Sequence, residues 1–439
     1  MPKRKMTEAV RERIEQSRDA ARVVARQEIG LRNYEPDDLE MITSELYAVR
    51  ATGEAKRPLR DSKCEFHVLK RKALDVRRLY NLMDDHDHAD KLAGCSTHLE
   101  YWENGDGSKK TLHFMNACQF RLCPICANRK ARRAASRLAR VLDAVDEAHK
   151  RQYRALFLTL TVRNCKAEDL RATLDLLTRA WAKLRRRRCF ARAVRGWFRA
   201  IEITYNRETG EYHPHIHAIL LVDRAYYADR NAKAVTNGLY IRQGADADEI
   251  AGYSNPTWIQ MWRESLQVDY DPSVRVSAVY RKNNDTDAAT MSAVYEAAKY
   301  ATKDADYLAP GMSDDEAVAV LRTYTHALTR KRLTAMGGWI QEAADKLAVS
   351  VDTEDIQDTV HDDEDAPDAL TSETAEYVAV YGFRFRYGDY FLRDRWRNPD
   401  YQGGSPGLKG GGNDVHDQDV RLRSDAPEAD GRPDGGGGR

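Results

Sequence analysis

Three groups of residues in this chain have the types and spacing for chemistry. The first is Tyr212-His213-Pro214-His215-Ile216-His217. Residues two apart on a strand face the same side. His215 and His217 therefore present two imidazoles together, with Ile216 turned to the core. Two neutral imidazoles at that spacing can hold one divalent cation. His213 shares their phase, although Pro214 and the turn before it leave its direction open. Glu202 lies between Ile201 and Ile203, where a carboxylate is costly unless it is paired or bound to metal. A hairpin would bring it beside the histidines. One carboxylate and two imidazoles with open positions suit Mg²⁺ or Mn²⁺ bound to a phosphate oxygen.

The second group is Tyr295-Glu296-Ala297-Ala298-Lys299-Tyr300-Ala301-Thr302-Lys303, helical by composition. Glu296 and Tyr300 are four apart and share a face, and Lys303 continues it. Lys299 lies beside them. A phenol with a pKa near 10 is a weak nucleophile at neutral pH. A metal on the target phosphate and a neighbouring lysine would help it attack a phosphodiester. A carboxylate one turn away could then activate water or a second strand end.

The third group is Cys118 with Cys123-Pro124-Ile125-Cys126, the short spacing of a zinc knuckle. Cys95 is the first choice as fourth ligand, with Cys64, His98 or His113 as alternatives. Four cysteines would make a closed, structural Zn²⁺ site. Cys165 and Cys189 read as plain thiols, and Asp84–Asp90 as a solvated loop.

The elements that must position these groups can be read from periodicity. Residues 127–150 are an amphipathic helix, 154–162 a buried strand and 167–188 a second helix. Residues 196–205 and 215–222 flank a polar turn, as in a β-hairpin. A helix over 257–267, a strand over 275–280 and helices over 285–303 and 314–332 follow. A late hairpin covers 378–391. Residues 41–110 show no clear period. The division expected is a charged segment 1–60, a zinc-binding segment with a basic helix 61–150 and a catalytic domain 151–345. An acidic linker 346–374, a β-rich element 375–397 and a disordered tail 398–439 complete it. The expected class is α+β, a central antiparallel sheet flanked by helices with the four-cysteine segment N-terminal to it.

Charge is unevenly placed. The net value is +1 over 439 residues, yet residues 121–200 hold 22 Lys and Arg against 6 Asp and Glu, and residues 351–370 hold 9 acidic residues and no basic one. A basic block points to a polyanion partner. The residues expected to touch phosphates are Arg129, Lys130, Arg132, Arg133 and the run Arg185, Arg186, Arg187, Arg188. No run approaches the roughly 18 apolar residues of a membrane span, and the first 30 residues lack an apolar signal stretch. A cytoplasmic protein with no membrane partner is expected. Seven cysteines in a long chain of this kind favour metal binding over disulfides.

Together three segments resemble a known family. Phe157-Leu158-Thr159-Leu160-Thr161 resembles its first motif, His213-Pro214-His215-Ile216-His217 its second and Glu296-Ala297-Ala298-Lys299-Tyr300 its third. The family is that of plasmid rolling-circle replication initiators, the single-tyrosine branch of the HUH endonucleases. The likeness spans about Cys95 to Glu342 and includes Gly337-Gly338. It implies a sheet of ferredoxin or RRM type, Tyr300 as nucleophile, His215 and His217 as metal ligands and Glu296 as the residue that activates water at termination. It also implies nicking of single-stranded or hairpin origin DNA, with a 3′-hydroxyl left for a host polymerase and helicase. Two other readings use the same residues. One is a transposase of the same superfamily, the other a zinc-dependent DNA-binding regulator without catalysis.

Overall fold

The computed structural model describes residues 58–59, 65–150, 152–244, 255–279, 306–351 and 369–402. Among the described residues the class is α+β, with two antiparallel sheets flanked by helices.

The five-stranded sheet carries the histidines. It is built from β3 (Tyr153–Thr161), β4 (Val194–Asn206), β5 (Glu211–Asp223), β6 (Val274–Val279) and β7 (Thr334–Gly338), in the order β6-β3-β5-β4-β7. The β4–β5 hairpin pairs Glu202 with His215 and Ala200 with His217. Alternate residues split between two cores, as a strand period of two requires. Leu156, Leu158, Leu160, Ile201, Ile203, Ile216, Ala218 and Leu220 face one side. There they meet α4 (Leu170–Leu184), α6 (Trp258–Leu266) and α7 (Asp314–Leu328). Phe198, Ala200, Ile219 and Leu221 face the other. They pack under α3 (Pro124–Ala148), through Leu138, Val141, Leu142 and Val145, and under α8 (Trp339–Lys346). The histidines lie on this second face, beyond the end of its apolar patch. A short α5 (Arg188–Ala193) leads into β4.

β7 has no periodicity to announce it. Its sequence, Thr-Ala-Met-Gly-Gly, works because β4 comes very close. A Cβ on Gly337 would lie 2.6 Å from the Trp197 ring. One on Gly338, at φ 60°, would collide with the Arg195 carbonyl. Glycine alone permits both the approach and the positive φ.

The four-stranded sheet has the order β2-β1-β8-β9, from β1 (His98–Glu103), β2 (Lys110–Met115), β8 (Tyr377–Arg384) and β9 (Asp389–Arg397). The late hairpin thus pairs directly with the cysteine segment, His98 opposite Gly382 and Glu103 opposite Tyr377. Residues just after β9 tie it down, since the buried Asn398 side chain donates to the Ser372 and Ala375 carbonyls. Leu99, Tyr101 and Leu112 share a core with α1 (Phe66–Leu82) and α2 (His86–Gly94).

These two helices correct the sequence reading of 41–110. The Asp84–Asp90 run is not a loop throughout. Asp85 caps α2 by accepting from the His88 amide at 3.2 Å, and helical structure begins at His86. An acidic, polar run fits a helix start as well as a solvated turn. In α1 the apolar stripe Phe66, Ala73, Val76, Leu79, Tyr80 is interrupted at its core positions by Lys70, which is fully buried.

Candidate functional site

The histidine group is assembled by the β4–β5 pairing. Glu202 Oε2 lies 3.2 Å from His217 Nε2 and 3.6 Å from His215 Nε2, and the two Nε2 atoms are 3.1 Å apart. Each ring is oriented through its other nitrogen. His215 Nδ1 donates to the His213 carbonyl at 3.1 Å, and His217 Nδ1 meets Thr159 Oγ1 at 3.2 Å. With Nδ1 protonated, both Nε2 lone pairs face the Glu202 carboxylate. Three acceptor atoms then converge, a donor set that suits a divalent cation. Ligands about 2.1 Å from a metal and 3.1 Å from each other subtend close to a right angle there, as octahedral Mg²⁺ or Mn²⁺ coordination requires. The side chains of His215 and His217 keep 11% and 12% exposure, so positions remain for ligands other than protein.

His213 is outside this trio. Its Nδ1 bonds Asn164 Oδ1 at 2.7 Å and its ring stacks on His215. Burial, then the neighbouring His215, pushes its pKa down. It holds the His215 ring from behind, through its carbonyl, and is corrected from ligand to support. Thr159, in contrast, was not singled out for a role. Its position opposite His217 across β3 and β5 is the register signal that could have found it.

Cys95, Cys118, Cys123 and Cys126 also converge. The Sγ separations are 3.6 Å for Cys95–Cys126, 3.7 Å for Cys118–Cys126 and 3.6 Å for Cys95–Cys123. Four sulfurs at about 2.3 Å from a tetrahedral Zn²⁺ stand about 3.8 Å apart, so the cluster fits that ion. Cys95 is the fourth member, and the other candidates are engaged elsewhere or not described. His98 Nε2 is 2.7 Å from Glu100 Oε1, and His113 packs on Trp102. Cys64 lies outside the described residues. Burial raises the Cys123 thiol well above its usual range, while hydrogen bonds from Cys118, Cys123 and Cys95 hold Cys126 well below it. Lys70 reaches the rim of this cluster. Its Nζ donates to the carbonyls of Leu92, Ala93 and Cys95 at 3.1, 2.6 and 2.6 Å, and burial pushes its pKa down to about 8. No sequence pattern pointed to it.

The basic residues divide. Arg132 is exposed and Arg133 half-buried, but Arg129 and Lys130 are 8% exposed, turned into the α3 side of the fold. These two are corrected as phosphate contacts, because a helix rotates each residue by 100° and the sequence run cannot show which of four neighbours faces water. Arg185, Arg186 and Arg188 are exposed, and Arg187 is half-buried against Glu264 at 2.6 Å. Tyr300, Glu296, Lys299 and Lys303 lie outside the described residues.

Among the described residues an α+β frame thus carries two groups of metal-binding donors, a carboxylate–imidazole trio and a thiol cluster. The chain belongs to the replication protein family, whose model matches residues 109–391, and the likeness to plasmid rolling-circle Rep initiators holds at that level. A "Protein rep" of Lactiplantibacillus plantarum is 31% identical over 356 residues, covering 80% of this chain and 99% of that one. Another, from Streptococcus pneumoniae serotype 2, is 30% identical over 311 residues, 70% of this chain and 85% of that one. A "Replication protein" of Staphylococcus aureus is 32% identical over 244 residues, 55% and 91% of the two chains. No solved structure matches the chain. Among the described residues no helix is long and apolar enough to cross a membrane.

Proposed function

We propose that this replication protein nicks and rejoins single-stranded origin DNA in rolling-circle plasmid replication, with Tyr300 as the nucleophile. The observation that carries the reading is the convergence of Glu202, His215 and His217 on the second core face, in a chain of this family. The flanks of the tyrosine segment agree with it. The chain returns to the described residues at Asp306, and Tyr307 packs on Tyr324, whose ring meets that of Tyr212, one residue from His213. Tyr300 precedes Asp306 by six residues.

Mg²⁺ or Mn²⁺, when bound by Glu202, His215 and His217, supplies Lewis-acid polarisation of the scissile phosphate. The Tyr300 oxygen attacks phosphorus, the bond from phosphorus to the 3′ oxygen breaks, and the phenolic proton ends on the leaving 3′-hydroxyl. Lys299 and Lys303 favour the phenolate. Glu296 later takes a proton from water or from a 3′-hydroxyl that attacks the phosphotyrosine. The 3′-hydroxyl left by the nick primes a host polymerase working with a host helicase. Cys95, Cys118, Cys123 and Cys126 hold structural Zn²⁺, and Arg132, Arg133 and the Arg185–Arg188 run contact phosphates. The protein works in the cytoplasm.

Incubation with Mn²⁺ and a labelled single-stranded oligonucleotide from the plasmid's own origin tests this. Wild type is expected to form a covalent adduct, and Tyr300→Phe to lower it by at least about 1,000-fold, since the step has no other nucleophile. An adduct retained by Tyr300→Phe sinks the mechanism. Normal plasmid maintenance by His215→Ala would instead indicate a DNA-binding regulator without catalysis.

A further inference from the structure

One concentration of positive charge on the five-stranded sheet lies at the end away from the trio. From Lys183 to Arg195 the chain carries seven Lys or Arg and no Asp or Glu. This run passes from the end of α4 through α5 into the start of β4. β4 then needs eight residues to travel from Val194 to Glu202, about 27 Å at 3.4 Å per residue. β5 ends at the same place, paired Val222 to Val194, and the chain beyond it adds exposed Arg224, Arg230 and Lys233. Arg154, opening β3, joins them. Its Nε donates to the Arg224 carbonyl at 3.1 Å, and Arg154 and Arg230 each lie 5.8 Å from the Tyr227 ring centre.

Little of this charge is neutralised. Glu264 pairs with Arg187, and Asp223 with Arg195 at 3.2 Å. Arg192 donates to the Asn237 and Gly238 carbonyls at 2.7 Å, which fixes the guanidinium without cancelling it. Among the described residues no carboxylate lies within salt-bridge distance of Arg185, Arg186, Arg188, Arg224 or Arg230. Asp229, the nearest acid in sequence to Arg230, is turned inward to the amides of Thr236, Asn237 and Gly238. Exposed like charges held together repel one another, an arrangement that a polyanion reverses.

We propose that this face is a second DNA surface, distinct in place from the nicking trio, and that it takes the phosphates of a duplex. Single-strand surfaces rely on exposed aromatic platforms as well as charge. Here Tyr226 is buried, and Tyr227 and Tyr240 pack on it and on each other at 5.0, 5.5 and 5.9 Å, with none splayed for stacking. What remains is a field of guanidinium groups, which suits duplex phosphates. At 3.4 Å per base pair, 27 Å is about eight base pairs. A duplex held here therefore lies about eight pairs from the phosphate at the trio. The duplex contact stands without the nicking mechanism; only the spacing rests on it.

The test is a binding assay with no cleavage step, so it is independent of Tyr300. Full-length protein is titrated with origin hairpins whose stems run from four to fourteen base pairs, across a salt series. Wild-type affinity is expected to step up once the stem reaches about eight pairs. Arg185→Gln/Arg186→Gln/Arg188→Gln should lose that step and lower the slope of log affinity against log salt by about 2.7, for three phosphate contacts. Arg224→Gln/Arg230→Gln, on the other side of the strand ends, should lower it by about 1.8. Circular dichroism checks that both variants fold. Affinity indifferent to stem length, or unchanged slopes in both folded variants, overturns the proposal. An equal gain from single strands of matching length would also overturn it, in favour of a single-strand groove.

Discussion

The four cysteines and the Glu202–His215–His217 trio are both clusters of metal-binding donors, and they are built in opposite ways. Cys95, Cys123 and Cys126 are at most 1% exposed, and all four sulfurs face one another. They leave no coordination position over, and the segments that meet there are α2, β2 and the start of α3. The trio sits on one hairpin that the sheet would form anyway, and its imidazole edges reach solvent. The cations nearby differ as well. Lys70 is buried at the thiol cluster and, among the described residues, has no carboxylate partner. A buried ammonium is expensive without a counter-charge, and four thiolates around Zn²⁺ carry two net negative charges. With the proposed divalent ion bound, the trio would set one carboxylate against two positive charges and keep a net positive charge for phosphate. On the proposed function, one cluster serves the fold and the other serves chemistry.

Breaking each cluster in turn sharpens that contrast. The largest effect is expected from Cys123→Ser. It should release about one equivalent of zinc and cost several kcal/mol, because structural zinc binding is itself folding free energy. Metal analysis and thermal melting measure this, and zinc retained with an unchanged melt would erase the distinction. Thr159→Val leaves all three ligands of the trio in place and removes only the partner of His217 Nδ1. Loss of such a support typically weakens metal binding 10- to 100-fold, so Mn²⁺ titration should show a drop of that order with the melting temperature nearly unchanged. A large fall in melting temperature would make the trio structural instead.

The smallest effect concerns the tie between the two regions. Arg78 of α1 grips Asp314, at the start of α7, in two bonds of 2.5 and 2.8 Å. Both groups are partly in water, so Asp314→Asn should cost less than about 1 kcal/mol. The Arg78 hydrogen bonds hold the Asp314 pKa below its ordinary 3.8. A carboxylate lowered on folding stabilises at pH values above its unfolded pKa, and that contribution is lost as pH falls through the folded value. The difference between wild type and Asp314→Asn should therefore shrink in denaturant melts as pH falls below the ordinary 3.8.

Much of the trio could be read in advance because strand periodicity is local. His215 and His217 are two apart, and the polar turn sets Glu202 opposite them. The thiol cluster was legible from spacing for the same reason, apart from the choice of Cys95. Other features depend on contacts that sequence does not display. Lys70 looks like any surface lysine until its three carbonyl partners are known. Arg129 and Lys130 sit in a run whose buried side depends on how α3 lies on the sheet. β7 has too few apolar residues for a pattern and exists through glycine contact with Trp197 and Arg195. The pairing of β8 with β1 joins segments too far apart for any periodicity to connect.

That last pairing has a bearing on how the protein is made. β8 leaves the ribosome roughly 280 residues after β1. At 5 to 20 residues per second this is a delay of about 15 to 55 s. Through that interval β1 offers an unpaired edge, a template for aggregation. A message cut short before Tyr377 leaves the edge open for good. Completion of the thiol-bearing sheet therefore waits until β8 and β9 have been translated.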